Sequence, residues 1–283
     1  MEYPNISAPS HAAPAPGPLL PDRTLLVAGA SGGIGAQIAR LAVAQGARVV
    51  LLGRDAERLE GLRKELAGHG GEAIAAVADV CDAESLRLAL ERCRDHFPPP
   101  DLLVTSVVYG QRQVFLCEQE EEDWVHTIDV NLNGAFRLCR RVVPEMMRRR
   151  SGGIVLISSV AGTRGLPSNT AYCASKFGLN GLAKALAAEV GPFGVRVNAV
   201  CPGLTDTQLL LREDAYGQDF MDSLRRHHGP PDLTWARYVN RAVRNTAIRR
   251  LVRPEEVAWL TVFLLSDLSS GMTGQTIGID GGS

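Results

Sequence analysis

The sequence predicts an α/β fold, in which a doubly wound and mostly parallel sheet of seven strands carries helices on both faces. From Thr24 onward, short aliphatic and β-branched runs alternate with longer segments of helical periodicity. Some of the short runs are apolar at consecutive positions, as in Leu25-Leu26-Val27, which is typical of strands buried on both faces. The predicted strands are 24–28, 48–52, 73–78, 102–107, 153–158, 195–200 and 275–279, and the predicted helices are 34–45, 55–67, 82–96, 121–149, 170–190 and 254–266.

The composition of the 283 residues is that of a globular protein, with 45% hydrophobic and 22% charged residues. Lys and Arg number 30 against 31 Asp and Glu, which argues against a nucleic-acid partner. No uncharged apolar stretch reaches the roughly 20 residues that span a bilayer. The cysteines are scattered without a C-x-x-C pair and the histidines lack metal-ligand spacing, so we expect reduced thiols and no metal. A cytoplasmic protein without a membrane partner is expected.

The chain is expected to form one domain over 23–283, preceded by a flexible Pro- and Ala-rich extension over 1–22. One stretch breaks the alternation of strands and helices, because no strand pattern occurs between Pro202 and Pro254. Within it, residues 208–250 carry eight arginines and five acidic residues, and a connection of this length is typical of a substrate lid with its own helices. A solvated helical face, a pocket wall for an anionic substrate and a contact between subunits are open interpretations of its charges.

A glycine-rich turn, Gly29-Ala30-Ser31-Gly32-Gly33-Ile34-Gly35, joins the first strand to the first helix. Glycines allow a tight turn and a close approach of the backbone to a pyrophosphate, which the N–H groups at the helix N-terminus can bind. A tight turn alone would also explain the glycines, and their spacing differs from the G-x-G-x-x-G fingerprint. In this strand–turn–helix context the turn predicts dinucleotide binding, with six candidate cofactor-binding residues: Gly29, Ser31, Gly32, Gly33, Ile34 and Gly35.

The end of the second strand bears on which dinucleotide is bound. A carboxylate there would bond the ribose hydroxyls of NAD and repel a 2′-phosphate, whereas an arginine accommodates NADP. This chain has Gly53 followed by Arg54, which favours NADP(H) and leaves NAD(H) possible. A solvated arginine is the structural alternative. Asp55, the next residue, has the position of an N-cap for the second helix.

Tyr172 and Lys176 lie four residues apart in a predicted helix, so both project from one of its faces. An ammonium near a phenol favours the phenolate and lowers the Tyr pKa toward working pH, where the phenol can exchange a proton with a substrate oxygen. A Y-x3-K match is common by chance and also fits a helix-surface pair. Ser159, however, follows the fifth strand directly, and ligands of open α/β sheets bind beyond the carboxyl ends of their strands.

With these motifs in order, the sequence resembles the short-chain dehydrogenase/reductase family over nearly all of 23–283. It is most similar to the members that include 3-oxoacyl-carrier-protein reductases and many hydroxysteroid, sugar and polyketide ketoreductases. The resemblance implies a Rossmann-like domain and an NAD(P)-dependent dehydrogenase or reductase. The further matching positions are Asp79-Val80, Asn131, Asn198 to Gly203, Thr207, Gly274-Gln275 and Asp280-Gly281-Gly282.

The resemblance implies four catalytic residues. Tyr172 would be the general acid in reduction and the base in oxidation, and Lys176 would hold the nicotinamide ribose and lower the Tyr172 pKa. Ser159 would bond the substrate carbonyl oxygen, and Asn131 would support a water-linked proton relay to Lys176. A strand-end cap at Ser159 and a helix kink at Asn131 are the structural alternatives. The further cofactor positions that the resemblance implies are Asp79 and Val80 at the adenine, and Pro202, Gly203 and Thr207 at the nicotinamide amide.

Two departures from the family pattern occur. Ala28 stands where a Thr usually opens the glycine turn, which we expect to have a small effect on stability. After the fourth strand the family usually has Asn-Asn-Ala-Gly, whereas this chain has Thr105-Ser106-Val107-Val108. Bulky side chains there would alter the floor beneath the cofactor, and we expect them to affect cofactor affinity and substrate geometry.

The sequence therefore predicts an NADP(H)-dependent oxidoreductase that transfers a hydride between nicotinamide and a carbonyl or secondary alcohol, in the manner of a ketoreductase. An NAD-dependent alcohol, sugar or steroid dehydrogenase is the first alternative, and a cofactor-binding scaffold with little turnover is the second. The partner is a small-molecule carbonyl or alcohol. The helices predicted over 121–149 and 170–190 resemble the family's dimer-forming pair, so we expect a homodimer or homotetramer.

Overall fold

A parallel sheet of seven strands lies at the centre of the computed structural model, which describes residues 17–110, 113–207, 210, 218–227 and 229–283. The order across the sheet is β3-β2-β1-β4-β5-β6-β7, and every neighbouring pair is parallel, which confirms the predicted fold. The chain order reverses between β1 and β4, where sheets of this type bind their ligands. The strands are β1 (Thr24–Ala28), β2 (Arg48–Gly53), β3 (Ala73–Val77), β4 (Leu102–Thr105), β5 (Gly152–Ile157), β6 (Val195–Pro202) and β7 (Thr276–Ile279).

Helices cover both faces of this sheet. The helices are α1 (Gly33–Ala44), α2 (Ala56–Gly68), α3 (Ala83–Cys93), α4 (Glu121–Ile128), α5 (Gly134–Arg149), α6 (Thr170–Val190), α7 (Gln218–His227), α8 (Trp235–Arg244) and α9 (Pro254–Leu265). One apolar layer joins the sheet to α3, α5 and α6, and the other joins it to α1, α2 and α9. The successive residues Leu26 and Val27 are fully buried in opposite layers, which explains why β1 is apolar at consecutive positions.

Several predicted element ends differ from the observed ones. The strand predicted over 102–107 ends at Thr105, because the backbone of Ser106 then lies against the glycine turn. The single helix predicted over 121–149 consists of α4 and α5, separated by a π-helical turn at Asp129–Asn133. The helix predicted over 82–96 ends at Cys93. The N-cap at Asp55 is confirmed, because its carboxylate accepts a hydrogen bond from the Arg58 N–H at 3.0 Å.

The last residues of the predicted N-terminal extension belong to the domain. Leu20 is 1% exposed, and its N–H donates to the Gln45 carbonyl oxygen at 2.9 Å. The Leu19 N–H donates to the Gln45 side chain at 3.1 Å. The predicted exclusion of 1–22 from the fold is therefore wrong for residues 19–22, because an apolar Leu-Leu pair finds a place beside the end of α1. Residues 1–16 lie outside the described residues.

The described residues of the segment over 208–250 include two helices, α7 and α8, with turns and irregular backbone after each of them. Its two ends meet at a short parallel bridge between Thr205 and Val252. The Val252 N–H donates to the Leu204 carbonyl oxygen at 2.9 Å, and the Asp206 N–H donates to the Val252 carbonyl oxygen at 2.8 Å. The two helices pack over a small apolar cluster of their own, which contains Leu210, Phe220, Met221, Leu224 and Trp235.

Candidate active site

The glycine turn is packed so tightly that larger side chains do not fit at two of its positions. Gly29 has a φ of +84°, and a Cβ added there would lie 2.6 Å from the Ser106 carbonyl oxygen. A Cβ on Gly35 would lie 2.2 Å from the Gly29 carbonyl oxygen. Gly32 is the N-cap of α1 and contributes no side chain, so the first N–H groups of the helix face outward from a narrow, smooth turn. This is the backbone geometry that receives a pyrophosphate.

A narrow cleft next to the turn collects the residues that the sequence assigns to the adenosine end of the cofactor. Ser31, Arg54, Asp79 and Val80 line it together with Gly53. The Arg54 guanidinium lies 4.0 Å from the Asp79 carboxylate and is largely exposed. The other oxygen of that carboxylate accepts a hydrogen bond from the Cys81 N–H at 2.9 Å. The carboxylate is thus held in place, while the arginine is free to turn toward a ligand.

A wider cleft beside the first contains the catalytic candidates. Ser159, Tyr172 and Lys176 all line it, and so do Ile34 and Thr207. Ser106, Val107 and Val108 line both clefts, so the segment that departs from the family pattern forms the wall between them. Next to it, the Thr105 hydroxyl is buried without a hydrogen-bond partner in the part of the chain that the structure describes.

Lys176 is 2% exposed, although it carries an amine. Its Nζ donates a hydrogen bond to the Ile157 carbonyl oxygen at 3.0 Å, at the carboxyl end of β5. Burial penalises the ammonium and lowers the pKa of Lys176 from 10.5 to about 8. The Nζ lies 5.5 Å from the centre of the Tyr172 ring, as the spacing of four residues on α6 requires. The predicted Tyr–Lys pair thus shares one face of the helix and one cleft.

Ser159 caps a short 3-10 helix over Val160–Gly162, where its hydroxyl oxygen accepts a hydrogen bond from the Ala161 N–H at 3.1 Å. The structural interpretation of Ser159 as a cap is therefore observed. A hydroxyl has one proton to donate besides its acceptor sites. The cap fixes the oxygen at the edge of the cleft and leaves the proton available to a substrate.

Asn131 lies in the π-helical turn and is 2% exposed. Its Nδ2 donates to the Tyr109 carbonyl oxygen at 2.9 Å and to the Ser175 hydroxyl at 3.1 Å, and its Oδ1 accepts from the Tyr109 N–H at 2.7 Å. Both ends of the side-chain amide are engaged in this way. The relay from Asn131 to Lys176 that the resemblance implies stays a prediction, and π-helical turns are frequent at functional sites.

The end of β6 brings the three nicotinamide candidates to the same cleft. Pro202, Gly203 and Thr207 all line it. A Cβ on Gly203 would lie 2.8 Å from the Asp280 Cα, so the backbones there are in close contact. The Thr207 methyl lies 3.0 Å from the position of a Cβ on Gly33. Thr207 is therefore packed directly on the glycine turn.

Large side chains that were not among the predicted site residues also line the wider cleft. Five of them are Leu166, Leu204, Phe220, Trp235 and Tyr238. Three of them are aromatic residues from α7 and α8, and their aromatic character in a polar segment was the signal that could have identified them. They show where the helices of the 208–250 segment contribute to the site.

None of the charged residues that the structure describes in this segment lines the cleft. Arg225 bonds to the Asp222 carboxylate at 2.8 Å, and Arg250 bonds to the Glu256 carboxylate at 2.6 Å. Arg226 donates a hydrogen bond to the Glu118 carboxylate at 2.8 Å, and this bond, with those from Ser223 and His227, lowers the pKa of Glu118 to about 2. Of the interpretations for the charges, these pairs favour the solvated helical face over a pocket for an anionic substrate.

Two further possibilities, a metal site and a membrane-spanning helix, are both absent from the described ranges of the chain. No group of three or more His, Cys, Asp or Glu side chains is arranged to hold a metal ion there. None of the helices in those ranges combines the length and the apolar character that crossing a bilayer requires.

A glycine turn at the reversal point of a parallel sheet, with a Tyr–Lys pair and a serine in the adjoining cleft, defines a dinucleotide-dependent oxidoreductase. The family model for short chain dehydrogenases matches residues 23–215, and a model described as enoyl-(acyl carrier protein) reductase matches residues 233–283. The chain belongs to the short-chain dehydrogenase family, whose members are oxidoreductase enzymes. The predicted family and the predicted enzyme class are thereby confirmed.

Known proteins similar to this chain include ketone reductases. The oxidoreductase UcpA of Salmonella typhimurium is 38% identical over 265 residues, which cover 93% of this chain and 95% of that protein. A 3-oxoacyl-[acyl-carrier protein] reductase from Brucella melitensis, solved with bound NAD, is 32% identical with a TM-score of 0.80 and covers 94% and 92% of the two chains. A variant of actinorhodin polyketide ketoreductase, solved with NADPH, is 31% identical with a TM-score of 0.81, covering 92% and 97%.

Proposed function

We propose that this enzyme is an NADP(H)-dependent ketoreductase, which reduces a carbonyl substrate to a secondary alcohol. The observation that carries the proposal is the convergence of Ser159, Tyr172 and Lys176 on one cleft, directly beside the glycine turn. Two of the similar proteins named above are ketone reductases by their names. The same groups would act in the oxidation of an alcohol.

The residues present fit a dinucleotide. The turn is tightly packed at Gly29 and Gly35, and it has no side chain at the N-cap of α1. The N-terminus of this helix is therefore open to a pyrophosphate. Two adjoining clefts, joined along Ser106, Val107 and Val108, accommodate the two halves of such a molecule. Arg54, Asp79 and Val80 would hold its adenosine end, and Lys176, Pro202, Gly203 and Thr207 its nicotinamide end.

When the dinucleotide is bound, its nicotinamide group would supply a hydride to the carbonyl carbon of the substrate. Ser159 then donates its hydroxyl proton in a hydrogen bond to the carbonyl oxygen, which fixes the carbonyl and stabilises the negative charge that develops on that oxygen. The Tyr172 hydroxyl transfers its proton to the same oxygen as general acid. The Lys176 amine, held by the Ile157 carbonyl oxygen, stabilises the phenolate that remains on Tyr172.

The preference for NADP(H) rests on Arg54. Its guanidinium lines the narrow cleft, is 69% exposed and has a single carboxylate at 4.0 Å as its ion-pair partner in the described ranges. A cation with so loose a partner is available to a 2′-phosphate, which it can bind with charge-assisted hydrogen bonds. Gly32 weighs slightly against the preference, because many NADP-using relatives carry a second basic residue there.

We also propose that the enzyme forms a homodimer or homotetramer. Three large apolar side chains on α4, α5 and α6 are about half exposed: Val125 (57%), Phe136 (49%) and Phe177 (47%). Large apolar groups on one helical surface are typical of contacts between subunits.

The test is turnover of NADPH and NADH over a panel of ketones and aldehydes, measured by absorbance with the wild type and with Tyr172→Phe. We expect NADPH-dependent reduction of at least one ketone in the wild type, and a loss of at least ~10²-fold in kcat for the variant, which lacks the transferable proton. Fluorescence titration should show that the variant still binds NADPH. Equal turnover by both proteins would contradict the proposed role of Tyr172, and cofactor binding without any turnover would support the scaffold alternative.

A further inference from the structure

Three aromatic side chains form one continuous surface in the wider cleft. Trp235 and Tyr238 are stacked, with ring centres 5.6 Å apart and planes inclined by 20°. Phe220 meets both rings edge-on, with centre distances of 5.1 Å to Tyr238 and 6.2 Å to Trp235. We refer to Phe220, Trp235 and Tyr238 as the aromatic wall. Their mutual packing makes it a rigid surface, because none of the three rings can turn without displacing another.

The aromatic wall belongs to the same cleft as the catalytic groups. Its three rings line this cleft together with Ser159 and Tyr172, and Leu166, Leu204 and Leu210 belong to the apolar part of the lining. The indole N–H of Trp235 donates to the Leu210 carbonyl oxygen at 3.1 Å. A substrate whose carbonyl meets Ser159 therefore has its body against carbon atoms and aromatic faces.

The cleft carries little charge. Among the described residues that line it, Lys176 is the one charged side chain; it donates to the Ile157 carbonyl oxygen, lies over the Tyr172 ring, and is assigned above to the nicotinamide end of the cofactor. Two arginines nearby have partners outside the cleft lining. Arg225 bonds to the Asp222 carboxylate at 2.8 Å. Arg164, whose charge acts on Tyr238, donates to the Ser283 hydroxyl at 3.0 Å. A carboxylate or phosphate on the substrate would lose its hydration there, and apart from Lys176 no cation among the described residues lines the cleft to compensate it.

Tyr238 adds one polar group to this apolar surface. Its ring lines the cleft, and its hydroxyl has no hydrogen-bond partner among the described residues. Burial raises the pKa of Tyr238 above its ordinary value, so at neutral pH the group is a protonated phenol that can donate a hydrogen bond. A neutral oxygen on the substrate would satisfy this donor.

We propose, on the basis of the proposed ketoreductase function, that the substrate is an uncharged, bulky ring ketone with a second neutral oxygen remote from the reacting carbonyl. The aromatic wall selects the ring system, and the Tyr238 hydroxyl binds the remote oxygen. Small ketones lack the apolar surface to cover the wall, and anionic sugar acids carry a charge that the cleft does not compensate.

The test compares four uncharged ketones and one anion with NADPH as the reductant. The compounds are cyclohexanone, a trans-decalone, a trans-decalindione, a cyclohexanone carboxylate and the ethyl ester of that acid. We expect kcat/KM for the decalone to exceed that for cyclohexanone by at least about 10-fold, since each added methylene buries more apolar surface. The ester should exceed the carboxylate by a similar factor.

Two variants assign these preferences to residues. Tyr238→Phe removes only the hydroxyl, and it should lower the ratio of kcat/KM for the dione over the decalone by about 5- to 10-fold, the scale of one lost hydrogen bond. Trp235→Phe should lower the preference for decalone over cyclohexanone. Trp259→Phe is the matched control, because Trp259 is 50% exposed on α9 and outside the cleft lining. Tryptophan fluorescence gives an independent measure, since decalone should quench the wild type and Trp259→Phe more strongly than Trp235→Phe.

The possible results separate this inference from the proposed function. Turnover of cyclohexanone or the carboxylate as efficient as that of the decalone would overturn the substrate class while leaving a ketoreductase. If Tyr238→Phe leaves the ratio of kcat/KM for the dione over the decalone unchanged, the Tyr238 hydroxyl does not bind a second substrate oxygen, and that part of the proposal is wrong. If no ketone is reduced, the proposed function fails, and fluorescence decides whether the wall binds ring compounds: quenching that depends on Trp235 supports the wall, and its absence overturns it.

Discussion

The side-chain amide of Asn131 holds the backbone of Tyr109 at both of its polar groups. The Oδ1 accepts from the Tyr109 N–H at 2.7 Å, and the Nδ2 donates to the Tyr109 carbonyl oxygen at 2.9 Å. This pair of bonds fixes the end of the segment whose preceding residues, Val107 and Val108, form the wall between the two clefts. Asn131 thus determines the shape of the site through the backbone that it holds.

The first prediction concerns this clamp. Asn131→Ala leaves the two polar groups of Tyr109 without their partner in a largely buried place, and we expect a loss of about 2 kcal/mol in the free energy of unfolding. Asn133→Ala is the control, because Asn133 is exposed and bonds only to the Asp129 carboxylate at 3.0 Å in the described ranges. Urea unfolding of the three proteins measures the difference. Equal midpoints for the two variants would show that the clamp adds nothing to stability.

The second prediction concerns pH and the buried amine of Lys176. In the unfolded chain its pKa is near the ordinary 10.5, whereas burial lowers it to about 8 in the folded protein. Between these values the unfolded state binds more protons, so this group makes the free energy of unfolding rise with pH, by up to about 1.4 kcal/mol per unit. Below about pH 8 the amine is charged in both states, so the free energy of unfolding no longer changes with pH through this group.

Comparison with Lys176→Met isolates this contribution in the cofactor-free protein. We expect the stability of the wild type relative to that of the variant to increase as the pH is raised from about 8 toward 10. Lys184→Met, which removes an exposed amine from the same helix, is the control. Urea unfolding at several pH values measures all three, and parallel curves for the wild type and Lys176→Met would contradict the prediction.

The third prediction concerns the choice of cofactor. We expect kcat/KM for NADPH to exceed that for NADH by about 10- to 100-fold, because one arginine contact to a phosphate contributes roughly 1.5–3 kcal/mol. Arg54→Ala should remove most of this difference by weakening NADPH alone. Arg58→Ala is the control, since Arg58 pairs with Asp55 at 3.2 Å on the surface of α2. Equal efficiency with NADH in the wild type would identify Arg54 as a solvated surface residue.

The fourth prediction concerns the glycine turn. Gly35→Ala places a methyl group 2.2 Å from the Gly29 carbonyl oxygen, and such overpacking against backbone typically costs about 1–3 kcal/mol. Gly32→Ala is the matched control, because its Cβ would lie 3.6 Å from the same oxygen, an ordinary contact. Thermal unfolding should therefore separate the two variants by several degrees. Identical melting temperatures would mean that the turn relaxes freely around the added methyl.

The parallel sheet could be predicted because consecutive apolar residues, as in β1, are typical of strands buried between two layers of helices, whereas the order of the strands follows from pairings that local pattern does not give. The Tyr172–Lys176 pair could be predicted because helical spacing fixes which side chains share a face. The engagement of Asn131 by Tyr109 could not, since the two residues are 22 positions apart and meet only through the fold. The packing of Leu20 on the domain was missed because a Pro-rich segment gives no periodicity to interpret.

The aromatic wall shows the same limit. Phe220, Trp235 and Tyr238 are visible in the sequence, but their meeting in one cleft depends on how α7 and α8 fold back over it. The charges of that segment left three interpretations open, and pairs such as Arg226 with Glu118 favour the solvated helical face among them. Local pattern predicted helices there and could not predict which faces of them would line the site.

The apolar cluster beneath α7 and α8 has a thermodynamic consequence. This cluster is separate from the two apolar layers that cover the sheet. The two ends of the segment that carries it meet at the Thr205–Val252 bridge. A segment that has its own small apolar core, and whose ends are held together, can unfold locally as one cooperative unit while the rest of a protein stays folded. The apolar contacts that stabilise α7 and α8 are therefore distinct from those that stabilise the sheet, and the two parts of the domain need not have the same local stability.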